Sequence, residues 1–381
     1  MKLPMERLPA ITIGRESHRD RCIVGSLLAP IVALALLFCE PSLADDPAPP
    51  AQHQITLMSY NVYHGVDFEI FRVPGATSVP DLLTRVAAVY LGYQARNFPE
   101  RAQALAAEIE AGQPALIGLQ EAVLVRTGAL FSTAPAESVA LDYVQLLLEA
   151  LSARGLHYAV VAEIRGFDVE LPSALGFDVR HTDREVILAR TDMPSGQLSL
   201  ANVQTGHFTT NCQIPTLAFG PLTVLRGWAS VDVWSRGTSF RLISTHLDGD
   251  CLPYTSAIQV AQAHEVINAP ADTDLPMVLL GDVNASPDDA SPSAYSELIG
   301  AGFVDTWSLA GEGDGFTCCQ SDDLSNATST LTTRIDVALL QGDFVVRAVT
   351  TAGDLTSDRT ASGLWPSDHA GLVVTLEIPT H

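Results

Sequence analysis

From Gln54 onward, short apolar runs alternate with helical stretches, and that alternation limits the architecture more than any other feature of the chain. "QITLMSYNVYHG" reads as a strand carrying Asn61 at its end, and "ERAQALAAEIEAGQP" as an amphipathic helix with a glycine near its stop. "PALIGLQEA" is a second apolar strand and delivers Glu121. "SVALDYVQLLLEALSARG" and "TSAIQVAQAHEVINA" have the helical period. "YAVVAEI", "REVILAR", "RGWASVDVW", "SFRLISTHL", "PMVLLGDVN", "RIDVALL", "FVVRAVTTAG" and "HAGLVVTLEI" read as strands. "RGFDVELPSALGFDVRH" is expected to be a connecting loop. So many successive strands favour two packed sheets flanked by helices over one parallel sheet.

Five strands place polar side chains where an apolar run stops or starts: Asn61, Glu121, His246, Asp282 with Asn284, and Asp368-His369 before the last strand. One such residue is an ordinary strand terminus reaching water. If the termini lie side by side, however, carboxylates, amides and imidazoles converge on one rim, as active sites do. Within "GDVN", strand alternation puts Asp282 and Asn284 on one face while Val283 points to the core. His64, His157, His181, His207 and His264 lack such a setting and are expected to be surface or structural.

The N-terminal region carries basic residues, then the apolar run "IVGSLLAPIVALALLF" and the small-residue pattern Ser42-Leu43-Ala44. Residues 1–44 are therefore expected to be a cleaved signal peptide, 45–54 a flexible linker and 55–381 one catalytic domain. Export to a secreted or periplasmic location follows, with no stable membrane span after processing and a monomer as the expected state. Five basic and four acidic side chains precede Asp45, so the remainder is one charge more negative than the −23 of the full chain, and it holds no lysine. A broad polybasic surface for nucleic acid is thereby disfavoured. Cys212, Cys251, Cys318 and Cys319 lack the histidine spacing of a zinc site and suit disulfides in an oxidising compartment. Cys212 is expected to pair with Cys251.

Taken in order, "SYNV", "GLQEA", "STHL", "GDVNASP", "RIDVALL" and "SDHAGLVVTL" resemble the motifs of the endonuclease/exonuclease/phosphatase superfamily. The resemblance implies an α/β fold, a four-layered α/β/β/α sandwich with two central mixed sheets flanked by helices. It also implies a divalent-metal-dependent hydrolase of phosphate esters, most simply a phosphodiesterase. Asp282 would then activate the attacking water, Asn284 would hold the phosphate or that water, and Glu121 would bind Mg²⁺ directly with water-mediated help from Asp368 and Asn61, Mn²⁺ or Ca²⁺ being alternatives. His369 would stabilise the phosphate with Asp336 as its carboxylate partner. His246 would protonate the leaving oxygen or stabilise the transition state. The substrate stays open among nucleic acid, a sphingomyelin-type phospholipid and a small phosphomonoester. The non-enzymatic alternative is a binding or effector protein on the same fold.

Overall fold

The computed structural model describes residues 54–70, 72–216, 220–249, 251 and 255–378. The expected signal peptide and all but the last residue of the expected linker lie outside them. The first half comprises β1 (Gln54–Asn61), α1 (Asp67–Ile70), α2 (Val79–Ala95), α3 (Phe98–Gly112), β2 (Leu116–Gln120), β3 (Leu124–Ala129), β4 (Ser138–Asp142) and α4 (Tyr143–Ala153). Then follow β5 (Tyr158–Pro172), β6 (Phe177–Arg190), β7 (Ser199–His207), β8 (Cys212–Ile214), β9 (Leu222–Val224), β10 (Gly227–Ser235) and β11 (Thr238–His246). The chain finishes with α5 (Thr255–Asn268), β12 (Met277–Asp282), α6 (Ala294–Gly300), β13 (Val304–Asp305), α7 (Thr306–Ala310), β14 (Asp336–Gln341), β15 (Val345–Ala352) and β16 (Gly371–Glu377).

Two large sheets result. One runs β15-β16-β1-β2-β6-β3-β4, with β5 also paired to β6, and the other runs β13-β14-β12-β11-β10-β7. Both are mixed: β1 lies parallel to β2, and β11 to β12, among antiparallel neighbours. The period-2 alternation explains the layers. Ile55 and Leu57 of β1 join Leu116, Ile187, Val231, Leu280 and Leu372 in an apolar layer between the sheets. Met58 and Tyr60 of the same strand face the opposite way, against Leu105 and Ile109 of α3 and Leu147 of α4. The second sheet turns Leu279 and Leu339 toward Ala263 and Val266 of α5 and Leu298 of α6. The order is helices, sheet, sheet, helices, as expected. Truncating a fully buried leucine such as Leu280 to alanine typically costs about 2–5 kcal/mol.

Three expectations need correction. The helix expected over Ser138–Gly155 starts only at Tyr143, because Ser138–Asp142 pairs antiparallel with β3. Asp142 then caps the helix, its side chain accepting from the Gln145 amide. The segment 165–181 is not a loop. It forms most of a hairpin, with Leu171 opposite Val179 and Val169 opposite His181. The sequence reading also passed over α2, whose Ser78 cap and early proline fix its start.

Cys212 and Cys251 are disulfide-bonded, with Cα atoms 5.6 Å apart, as expected. The sulfurs of the adjacent Cys318 and Cys319 are also placed together. Among the described residues, no helix is long and apolar enough to cross a membrane.

Candidate active site

The apolar layer between the sheets sets which way the polar residues face at one rim. Ile55 and Leu57 point into that layer, so Asn61, an even number of positions on, points the same way. The same parity carries Val278 and Leu280 on to Asp282, Phe240 and Leu242 on to His246, and Ala338 and Leu340 back to Asp336. Ile187 and Ala189 of β6 run back to Glu185 and Asp183. The parallel strands β1, β11 and β12 reach the rim with their last residues, β14 with its first and β6 with its middle.

Asp282 lies at the centre. Its Oδ2 accepts from Asn61 Nδ2 at 3.1 Å and lies 3.6 Å from His246 Nε2 and 3.8 Å from His369 Nε2. Its Oδ1 accepts from the Asn284 amide at 2.9 Å. The second hydrogen of Asn61 Nδ2 goes to Glu121 Oε1 at 3.0 Å, so one amide bridges the two carboxylates. Glu121 and Asn284 both adopt left-handed backbone conformations, at φ 57° and 50°. Neither is glycine, and strain of this kind concentrates at functional sites. All eight residues expected at the site fall at this rim.

Two pairs of groups have opposed electrostatics. Burial and the facing charge of Asp336 push the Asp282 carboxyl up to about 7. Asp336 Oδ2 also lies 2.7 Å from His369 Nδ1. Burial opposes a charge on that imidazole, but Asp336, Asp368 and Asp282 outweigh it and hold His369 well above its ordinary range. His246 goes the other way. Burial and the Arg226 guanidinium, 2.8 Å from Nδ1, keep it neutral. Both ring nitrogens face donors, Nδ1 the Arg226 guanidinium and Nε2 the Asn284 side-chain amide at 3.1 Å, an environment that disfavours the imidazolium.

The structure adds residues the sequence reading missed. His64 is not on the surface but lies largely buried at this rim. Its amide donates to Glu121 Oε2 at 2.8 Å, and its Nε2 lies 2.7 Å from Asp67. Burial opposes its charge, yet Asp67 and Glu121 push it up to about 10. Arg226 bridges Asp183 Oδ2, at 2.8 Å, and His246. Glu185 is fully buried, lies 3.7 Å from His246 Nδ1 and accepts no hydrogen bond at either oxygen. His181 is likewise buried, against the Tyr93 hydroxyl, and burial pulls it down to about 3. By contrast, His207 and His264 make single contacts, to Arg165 and Glu297, at exposed positions.

Glu121 and Asp368, the residues expected to hold a cation, lie near enough for their charges to interact. Burial and the nearby charges of Glu121 and Asp67 push the Asp368 carboxyl up to about 8, the mark of acids crowded together without enough positive charge. Hard cations take such oxygen donors, one or two at a time. Among the described residues, two groups of carboxylates and histidine have ligand atoms close enough to share an ion, Asp282 with Asp336 and His369, and Asp183 with Glu185 and His246; a third such group is Cys318 with Cys319 and His369. In each of these a histidine nitrogen is already committed, to Asp336 or to Arg226.

Residues 58–369 match a family model described as "Endonuclease/Exonuclease/phosphatase family". No match was found among curated proteins. Among solved structures, an endonuclease/exonuclease/phosphatase from Beutenbergia cavernae is 19% identical with a TM-score of 0.53, covering 85% of this chain and 72% of its own. TDP2 of D. rerio, complexed with single-strand DNA product, is 16% identical with a TM-score of 0.51, covering 85% and 99%. The mannosyl-6-phosphatase Bt3783 of Bacteroides thetaiotaomicron is 15% identical with a TM-score of 0.50, covering 85% and 100%. At these identities the likeness is one of fold.

Proposed function

The chain belongs to the endonuclease/exonuclease/phosphatase family, a family of phosphoester hydrolases, and from that premise we propose that it is an exported, Mg²⁺-dependent phosphodiesterase. The observation that carries the reading is the position of Asp282 Oδ2 among Asn61, His246 and His369. A buried carboxylate poised near neutrality is matched to taking a proton from water at physiological pH. Glu121 and Asp368 would hold the cation, which when bound supplies charge neutralisation and polarisation of the phosphoryl group.

The remaining steps belong to the chain's own side chains. Asn61 fixes the orientation of Asp282 through its amide, and Asn284 presents a second amide beside His246. Asp282 takes the proton of the attacking water. His369, held as imidazolium by Asp336, faces charge that accumulates on the phosphoryl oxygens. His246, kept neutral, stabilises by hydrogen bonding; its charge state favours that role over full proton donation to the leaving oxygen. Export is supported by the N-terminal sequence pattern and by the Cys212–Cys251 bridge.

The test is hydrolysis of methyl p-nitrophenyl phosphate by the purified protein. Turnover should require added Mg²⁺, stop with EDTA, and fall at least about 10³-fold in folded Asp282→Asn. Full activity in Asp282→Asn would overturn the assignment of the base. N-terminal sequencing of exported material should begin near Asp45.

A further inference from the structure

Beside the proposed catalytic residues lies a cavity whose walls are mostly aliphatic. Ile70 and Val86 contribute from the α1–α2 region, Phe167 and Val179 from the β5–β6 hairpin, and Leu222 and Val224 from β9. The hollow measures about 830 Å³ with its mouth, of which about 100 Å³ is open to the centre of a water-sized group. It is continuous with the site, because His64, Asp183 and Arg226 line it too. Of these, His64 bonds to Glu121 and Arg226 bonds to His246.

The chemistry of the walls selects among phosphate esters. A nucleobase needs hydrogen-bonding partners for its edge and aromatic faces for stacking. Here most polar side chains at the cavity are engaged by the protein itself, His64 Nε2 with Asp67, His181 Nδ1 with the Tyr93 hydroxyl, and Arg226 Nη1 with Asp183 and His246; the buried Arg226 Nε is unpartnered, a single donor where a nucleobase edge asks for several contacts. Phe167 is the one aromatic carbocycle in the lining. Arg226 is the one arginine in the lining and no lysine stands there, so a polynucleotide backbone would meet few cations at the cavity. An alkyl chain asks for none of these things and gains from leaving water.

Resting on the phosphodiesterase reading above, we propose that this cavity takes an alkyl group carried next to the scissile phosphate. The enzyme's preferred substrates are then alkyl phosphate esters rather than nucleic acid. An apolar cavity on the order of 150 Å³ holds one benzene ring, so the open volume accepts about four carbons before the chain must lead out through the mouth. Each buried methylene should raise kcat/KM about fourfold.

The experiment uses p-nitrophenyl phosphodiesters sharing one chromophoric leaving group, with methyl, butyl, octyl or thymidine 5′-yl as the other arm. From methyl to butyl, kcat/KM should rise at least about tenfold, toward a ceiling of about 60-fold, and then flatten at octyl. Val224→Trp and Leu222→Trp, at half-buried wall positions, should bring the butyl-to-methyl ratio close to one. A flat alkyl series, or a thymidine ester turned over faster than the butyl one, overturns the proposal while leaving the phosphoesterase reading intact. Failure to hydrolyse any ester overturns that reading instead. The cavity is then judged by calorimetry with methylphosphonate and butylphosphonate: a more negative heat-capacity change for butyl supports it, and equal binding refutes it. Turnover of micellar lysophospholipid beside soluble octyl ester identifies a lipid source for the chain, whereas turnover of the soluble ester alone identifies a free alkyl ester; both support the alkyl assignment.

Discussion

Asp336→Asn tests the electrostatics of the centre more sharply than removal of any group that touches substrate. Asparagine keeps the shape and can still accept from His369 Nδ1 through its amide oxygen, so the substitution removes charge and little else. Both partners are buried and their facing atoms lie 2.7 Å apart. Two unit charges about 4 Å apart at an effective dielectric near 20 interact by about 4 kcal/mol. That energy is roughly 10³ in the ratio of imidazolium to imidazole. The sign follows from the direction of the shift. The charged ring exists below its pKa, which is raised, so wild-type protein keeps it across the neutral range and loses it only as pH rises through that high value. Without Asp336 the loss moves to lower pH. Asp336 also raises Asp282, its partner across the β12–β14 ladder, so the acid limb of the profile moves down as well. With saturating Mg²⁺ and a p-nitrophenyl phosphodiester, kcat near pH 8 should fall about 10²- to 10³-fold, and a large part should return near pH 6. A loss below tenfold, or one equal at every pH, would refute the reasoning.

Glu121→Gln should raise the Mg²⁺ concentration needed for half-maximal activity by at least about tenfold, since shape is kept while the balancing charge is lost; an unchanged titration with intact folding would place the ion elsewhere. His246→Ala should lose similar factors, about 10²-fold, on p-nitrophenyl and alkyl leaving groups, because a neutral ring stabilises both alike; a much smaller loss on the p-nitrophenyl ester would instead make it the proton donor. Reduction of the Cys212–Cys251 bridge, which closes a loop of sequence separation 39, should lower stability by about 4 kcal/mol, read as the shift in urea midpoint with and without dithiothreitol and absent in Cys212→Ser.

Much of the centre was legible because a parallel strand announces its outlet. Asn61, His246 and Asp282 each end an apolar run at the C-terminal end of a strand, and each faces the rim. Asp183 and Glu185 were not found, because β6 runs antiparallel to β2 and brings its middle residues to the same edge. There a charged stretch, "TDRE", looks like a solvated strand entry, although all four residues are buried. His64 escaped for a different reason. Its contact with Glu121 depends on a turn in which Tyr63 takes a left-handed φ of 56°, and nothing in the local pattern prescribes it. The cavity was equally invisible, since its walls come from α2, the β5–β6 hairpin and β9, elements missed or misread in the sequence.

The strand order of the first sheet has a consequence in time. β16, the last strand, lies between β15 and β1, and Ser367 Oγ, just before it, donates to the carbonyl of Asn61 across a sequence separation of 306. His369 and Asp368 arrive with that closure. A chain emerging from the ribosome, or threading a membrane from its N-terminus, can bring Asn61 and Glu121 together early on β1 and β2. It cannot own a complete centre until residues 367–377 are free to fold back onto β1. Contacts of such long range close slowly, so the assembly of this rim is tied to the slowest pairing of the first sheet.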